Sequence, residues 1–254
     1  MCPVLFNIGS LSVYSWGFML AVAVIIGIYG VGKLFEQEGF DKENVVDMVL
    51  LMVVAGIIGA RLAYIVVYEW STFISNPLSL FSLGTGKIVG LIWYGGLVGG
   101  AIPFFIYVYK KKLPVWFVAD MFAPFVALGY ALVRIGCFLN GCCYGGITDS
   151  ALGVVFPYVD ALTRHPAQLY STALNLLLFG FLIWFYPRRR FNGQVFIYYI
   201  LGYSVYRFVV EFFRESLIMY GPISLGQVYT LILLAIGILL YFWRKSNSKW
   251  TDWR

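Results

Sequence analysis

Residues 134–146 read Arg-Ile-Gly-Cys-Phe-Leu-Asn-Gly-Cys-Cys-Tyr-Gly-Gly. The stretch sets a guanidinium (Arg134), an amide (Asn140) and four glycines (Gly136, Gly141, Gly145, Gly146) at the end of a long apolar run. A charge near hydrocarbon costs about 2.5–3.5 kcal/mol even on lenient insertion scales, so it normally faces a partner, a cavity or an anionic ligand. Glycines beside it let the backbone approach a bound group closely and leave amide N–H groups uncovered. The segment reads as an anion-holding wall inside a membrane protein.

The composition around it agrees. The chain has 254 residues, 61% hydrophobic and 12% charged, with mean hydropathy +0.83, which excludes an ordinary soluble domain. The net charge of +6 does not point to nucleic acid, because its distribution matters more than its size. The first residues carry no basic region ahead of an apolar core, so no cleaved signal peptide is expected.

Seven apolar segments reach the roughly 20 residues needed to cross a bilayer: 13–34, 45–68, 88–109, 113–135, 166–186, 191–213 and 225–243. The expected fold is an all-α polytopic membrane protein, seven transmembrane helices forming one domain over 1–254. Lys33, Lys42, Lys110, Lys111, Lys112, Arg188, Arg189, Arg190, Arg244, Lys245, Lys249 and Arg254 fall on one side. By the positive-inside rule the N-terminus is outside and the C-terminus cytoplasmic. The outer connections are then 69–87, 136–165 and 214–224. No internal repeat of the transporter kind is visible.

That orientation fixes approximate depths. Arg61, Tyr94 and Arg207 each lie six or seven residues from the outer end of their segments, about 10 Å below the surface, and Arg134 closes its segment at a similar level. Headgroups and glycerol carbons occupy that layer, so a lipid is the expected ligand. Tyr203, Arg207, Glu211 and Arg214 recur at helical spacing and share a face. Arg207 and Glu211 either neutralise each other or take a phosphate as third partner, which guanidinium forks hold bidentately. Arg134 either snorkels or binds the ligand. Arg61 suits pairing with Glu69 as well as ligand contact. The glycines after Tyr94 (Gly95, Gly96, Gly99, Gly100) serve helix packing or a close substrate. His165 is the only histidine; it caps the segment that follows or transfers a proton. Cys137, Cys142, Cys143 and His165 lack the paired spacing of a metal knuckle, so no metal and no cofactor is expected. A disulfide between two of the cysteines suits the outer compartment better.

Taken together and in order, these residues resemble the phosphatidylglycerol:prolipoprotein diacylglyceryl transferase family. The resemblance rests on Trp16-Gly17-Phe18, Gly59-Ala60-Arg61, Tyr94-Gly95-Gly96, 120–124, 134–145, Arg164-His165-Pro166-Ala167-Gln168-Leu169-Tyr170 and Tyr206-Arg207 through Glu211 to Arg214. It implies seven spans in the bacterial inner membrane and a reaction in its outer leaflet. A diacylglyceryl group passes from phosphatidylglycerol to the lipobox cysteine thiol of a prolipoprotein signal peptide, releasing glycerol 1-phosphate. It further implies that Arg134 binds the headgroup and that Arg207 and Glu211 belong to the site. The family pattern usually has histidine at the position of Tyr94, and asparagine and an acidic residue at those of Cys137 and Cys142.

The residues on which activity is expected to rest are Tyr94, Arg134, Arg207 and Glu211. Asn140, Gly141, Gly145, Arg61 and His165 join Arg134 and Arg207 in substrate binding. The alternatives are a transferase of this fold with another acceptor, and a lipid transporter or channel.

Overall fold

Because backbone amides cannot be satisfied by hydrocarbon, long apolar segments must bond to themselves, and helices are the simplest solution. A computed structural model describes residues 1–9, 11–76, 92–214, 219–221 and 223–247. Its long helices are α1 (Ser15–Gln37), α2 (Glu43–Tyr68), α4 (Trp93–Lys110), α5 (Val115–Asn140), α6 (Ala167–Phe185), α7 (Gln194–Glu211) and α8 (Leu225–Asn247), with a short α3 (Trp70–Ser75) after α2. Over the described residues each expected segment coincides with one long helix; 88–91 of the third segment and 77–87 of the expected outer connection before it lie outside the described residues. Five of the described helices are long and apolar enough to cross a membrane: α1, α2, α5, α6 with the turn that follows it, and α8. The chain is a multi-pass membrane protein. Their outer faces are apolar and open, as lipid contact requires: Leu177 is 71% and Leu239 69% exposed.

The all-α expectation describes the long elements but misses three short antiparallel pairs: β1 (Val4–Ile8) with β2 (Leu11–Tyr14), β3 (Val154–Val155) with β4 (Thr163–Arg164), and β5 (Met219–Tyr220) with β6 (Ile223–Ser224).

The chain divides into two compact units, Gly32–Val115 and the remainder. In the unit Gly32–Val115, α2 and α4 cross with almost no side chain between them. A Cβ at Gly59 would lie 2.5 Å from the Gly95 carbonyl oxygen, and one at Gly99 2.4 Å from that of Ala55. The Gly95–Gly100 glycines therefore serve helix packing, the close approach that small residues permit between membrane helices. Tyr107 Oη adds a hydrogen bond to Asn44 Oδ1 at 3.0 Å. The end of α1 is closed by Gly39 (φ +80°). There Phe40 N donates to Phe35 O at 2.8 Å and the two rings pack at 5.8 Å, a glycine-capped terminus with its hydrophobic contact.

In the other unit, α5 runs through the centre. Phe117, Val118, Asp120, Met121, Ala123, Pro124, Ala127 and Ala131 are buried along it. Its carboxylate Asp120 is wholly buried. It accepts hydrogen bonds from Gly193 N at 2.7 Å and Phe196 N at 2.9 Å, the N-cap and the third residue of α7. A carboxylate there meets the positive end of the helix dipole and satisfies orphan donors. Gly193 itself, at φ +97°, cannot continue the helix backward, so α7 begins at Gln194. Along α6, Gln168, Ser171, Thr172 and Asn175 are buried. Ser171, Thr172 and Asn175 bond back to carbonyls one turn earlier, and Thr172 also reaches Ala131 O of α5 at 3.3 Å.

Candidate functional site

Helix α5 runs past the end of the expected segment 113–135 and continues to Asn140. The cause is local. Arg134 Nη2 donates to Tyr130 Oη one turn earlier, and the guanidinium lies 4.7 Å over the same ring, so the charge is satisfied along the helix without breaking it. Tyr130 packs edge-to-face on Tyr203 of α7, ring centroids 6.0 Å apart. Tyr203 feels the charges of both Arg134 and Arg207. Two guanidiniums from separate helices thus face one aromatic bridge.

Arg207 Nη1 donates to Glu211 Oε2 one turn on. Glu211 Oε1 accepts from Ser224 Oγ at 3.3 Å, and a Cβ at Gly226 would sit 2.4 Å from that oxygen. The carboxylate is therefore fixed from α7, β6 and α8 at once. Arg214 lies just past the end of α7, its amide donating to Glu211 O at 3.2 Å. Burial and the like charges of Arg207 and Arg134 lower its proton affinity. Three arginines therefore gather near one end of α5 and α7.

The 134–146 stretch is stitched to its neighbours through backbone. Gly145 N donates to His165 O at 2.8 Å, His165 N to Gly146 O at 2.9 Å and Gly146 N to Phe213 O at 3.0 Å. Gly141, at φ +74°, donates its amide to Phe138 O at 3.1 Å, and Cys142 N donates to Cys137 O. The expectation of uncovered glycine amides is corrected here: Gly141 turns its amide back onto the end of α5, while Gly145 and Gly146 give theirs to His165 and Phe213, where the segments cross. Gln168 Nε2 ties α6 to the same loop at Cys142 O, 2.7 Å away.

His165 Nδ1 is 3.1 Å from Tyr170 Oη, and its ring packs against Phe213 at 5.2 Å. Arg164, buried, makes a forked pair with Asp160, closest contact 2.7 Å, and lies over Tyr144 at 5.1 Å. Asn140 closes α5, and the Cys142 thiol donates to Cys137 O at 3.7 Å. The expected disulfide is not formed; all four cysteines are free. The Cys143 thiol is drawn below its ordinary range by hydrogen bonds from Cys137 and Cys142 and by the charges of Arg134 and Arg214.

Arg61 and Tyr94 belong to the unit Gly32–Val115. Arg61 pairs with Glu69 at 3.2 Å and lies 5.5 Å from the Tyr64 ring centroid. Tyr94, 62% exposed, opens α4 beside the Ala60 turn, where Ile92 N donates to Ala60 O at 3.1 Å.

Sequence reasoning missed Tyr130 and Ser224 as partners of the charged groups. Tyr130 was findable as an aromatic four residues before Arg134; Ser224, thirteen residues from Glu211, left no local signal. Gln168 Oε1, Asn175 Oδ1 and Tyr206 Oη are, among the described residues, buried atoms with no hydrogen-bond partner.

The family model described as prolipoprotein diacylglyceryl transferase matches residues 3–243. The phosphatidylglycerol–prolipoprotein diacylglyceryl transferase of Clostridium tetani is 35% identical over 246 residues, covering 95% of this chain and 97% of that protein. Its namesake in Vibrio cholerae is 35% identical over 257 residues, covering 98% and 94%. The charged and glycine-rich segments just described thus lie inside a match spanning almost the whole sequence, and the chain belongs to the prolipoprotein diacylglyceryl transferase family.

Proposed function

We propose that this chain, acting as one domain over 1–254, transfers the diacylglyceryl group of phosphatidylglycerol to the lipobox cysteine of a prolipoprotein signal peptide. Seven spans with the N-terminus outside and the C-terminus cytoplasmic, in the bacterial inner membrane, suit the twelve basic residues on one side and the seven long helices. The single observation that carries the reading is the gathering of Arg134, Arg207 and Arg214 around Tyr130, Tyr203 and Glu211. Three guanidiniums against the single carboxylate of Glu211 leave an excess of positive charge, and phosphate is the anion that arginine forks fit.

In the proposed chemistry the substrate thiolate attacks C3 of the glycerol, the C–S bond forms as the C–O bond breaks, and the pair of electrons leaves with glycerol 1-phosphate. The thiol proton passes to a base. Arg134 and Arg207 stabilise charge gathering on the departing phosphate, a term worth about 3–4 kcal/mol for one well-placed donor. Glu211, held by Ser224, fixes Arg207 in place. Asn140 and His165 frame the headgroup, Gly141 and Gly145 shape the wall without donating to it, and Arg61, already paired with Glu69, takes a secondary binding role. Tyr94 orients or deprotonates the thiol. A tyrosine, with a usual pKa near 10, is a modest base for a thiol near 8.5, and Glu211 and His165 are its rivals.

The test is direct. Purified protein incubated with phosphatidylglycerol and a lipobox peptide should yield, by mass spectrometry, the peptide carrying a diacylglyceryl thioether. An unmodified lipobox peptide, with lipid consumed by another acceptor, keeps the fold and donor but changes the acceptor; no consumption of lipid defeats the reading.

A further inference from the structure

The cysteines at 137, 142 and 143 are too crowded for a paired metal knuckle, yet the fold gathers them. Cys137 lies on the last turns of α5, and the chain reverses through two left-handed residues, Gly141 at φ +74° and Cys143 at φ +64°. A positive φ is uncommon at a residue with a side chain and costs of order 1–3 kcal/mol. All three sulfurs lie within 4.8 Å of one another.

We propose that Cys137, Cys142 and Cys143 together bind one Zn2+ through their sulfurs. With Zn–S bonds of about 2.3 Å, tetrahedral geometry puts ligand sulfurs about 3.8 Å apart, so the thiols need shift by no more than about an ångström. A disulfide suits the arrangement less well. Adjacent Cα atoms are about 3.8 Å apart, shorter than the usual disulfide span of about 4.4–6.8 Å, which disfavours Cys142–Cys143. Either bond to Cys137 would leave a third thiol pressed against the pair. On binding, three S–H protons pass to solvent and three S–Zn bonds form.

The surroundings fit the charge. Three thiolates and a dication carry a net charge of −1, and Arg134 and Arg214 both act electrostatically on Cys143. Cys142 N donates to Cys137 O at 3.1 Å, a backbone bond that fixes the turn carrying two of the ligands, as outer contacts around metal sites do. Burial grades from Cys137, buried, to Cys143, exposed, which gives an ion a way in. Three protein ligands leave a fourth position for water or another thiol. The proposal goes beyond the transferase reading and does not depend on it.

The experiment uses the full chain, purified in detergent under reducing conditions, exposed to Zn2+ and freed of excess. Inductively coupled plasma mass spectrometry should find about one zinc per chain, and Co2+ in its place should give the intense near-ultraviolet sulfur-to-metal absorption of a thiolate site. Cys143→Gly removes one ligand at a position whose φ glycine adopts freely, so it keeps the turn; bound zinc should fall at least about tenfold, the cost of losing even an outer-shell partner. Wild-type protein without zinc overturns the proposal, whether its three thiols titrate freely or two are lost to a disulfide. Zinc undiminished in both Cys143→Gly and Cys137→Ala overturns it as well.

Discussion

Gly145 and Gly146 are neighbours of identical chemistry placed in opposite surroundings, and exchanging each for alanine isolates what the crossing of segments at the site is worth. A Cβ at Gly145 would lie 2.1 Å from Phe213 O, 2.8 Å from His165 Cβ and 3.0 Å from His165 O. None of these atoms is the end of a flexible side chain, so the segments must separate. A Cβ at Gly146 meets nothing within 4 Å. Separation puts at risk the three backbone hydrogen bonds that join Gly145, Gly146, His165 and Phe213. At about 1 kcal/mol each, the loss is about 3 kcal/mol, or about 6–12 °C in Tm for a chain of this size. Gly146→Ala should be neutral or slightly stabilising, since it only restricts the unfolded chain. Intrinsic fluorescence on heating in detergent reads the first effect, and the lipobox-peptide assay the second. Gly145→Ala should lose most of its transfer, because Phe213 adjoins Arg214 and the end of α7, while Gly146→Ala keeps it. Equal melting and equal transfer in the two variants would refute the reasoning.

Arg134→Ala and Arg207→Ala should each reduce transfer by about 10²–10³-fold while the protein still inserts in membranes at wild-type levels; full transfer in both defeats the phosphate assignment. Tyr94→Phe should lose transfer that Tyr94→His retains, and an undiminished Phe variant excludes Tyr94 as the base. Asp120→Asn leaves one of the two amides of α7 facing an NH2 group. It should cost about 1–3 kcal/mol, seen as a lower melting temperature without change in lipid affinity at matched folded fraction. The hydrogen bond from Arg164 holds the Asp160 carboxyl below its usual range. That stabilisation is present above pH about 4 and is lost as pH falls through the lowered folded value. Asp160→Asn should therefore flatten the acid limb of the stability profile.

The existence of the long helices was legible because each is a continuous apolar run, a signal that tertiary contacts do not alter. Their ends were less so. α5 runs past Arg134, whose N–H is taken by Tyr130, and α7 starts at a left-handed Gly193 whose amide is held by Asp120, more than seventy residues away. The double reading of the α4 glycines resolves in favour of packing, since only the partner α2, rich in Gly and Ala on one face, decides it. Arg207 and Glu211 were readable as a pair by helical spacing. The partnership of Glu211 with Ser224, the backbone crossing at Gly145 and the convergence of three sulfurs depend on chain reversals that no periodicity encodes.

The hold of Asp120 on the start of α7 makes that helix a ruler. Arg207 stands fourteen residues from Gly193, about 21 Å along the axis, so its depth is measured from an anchor on the far side of the fold. One residue inserted between Phe196 and Arg207 would swing the guanidinium by about 100° and lift it by about 1.5 Å, taking it off the Tyr203 face with every side chain of the cluster still present.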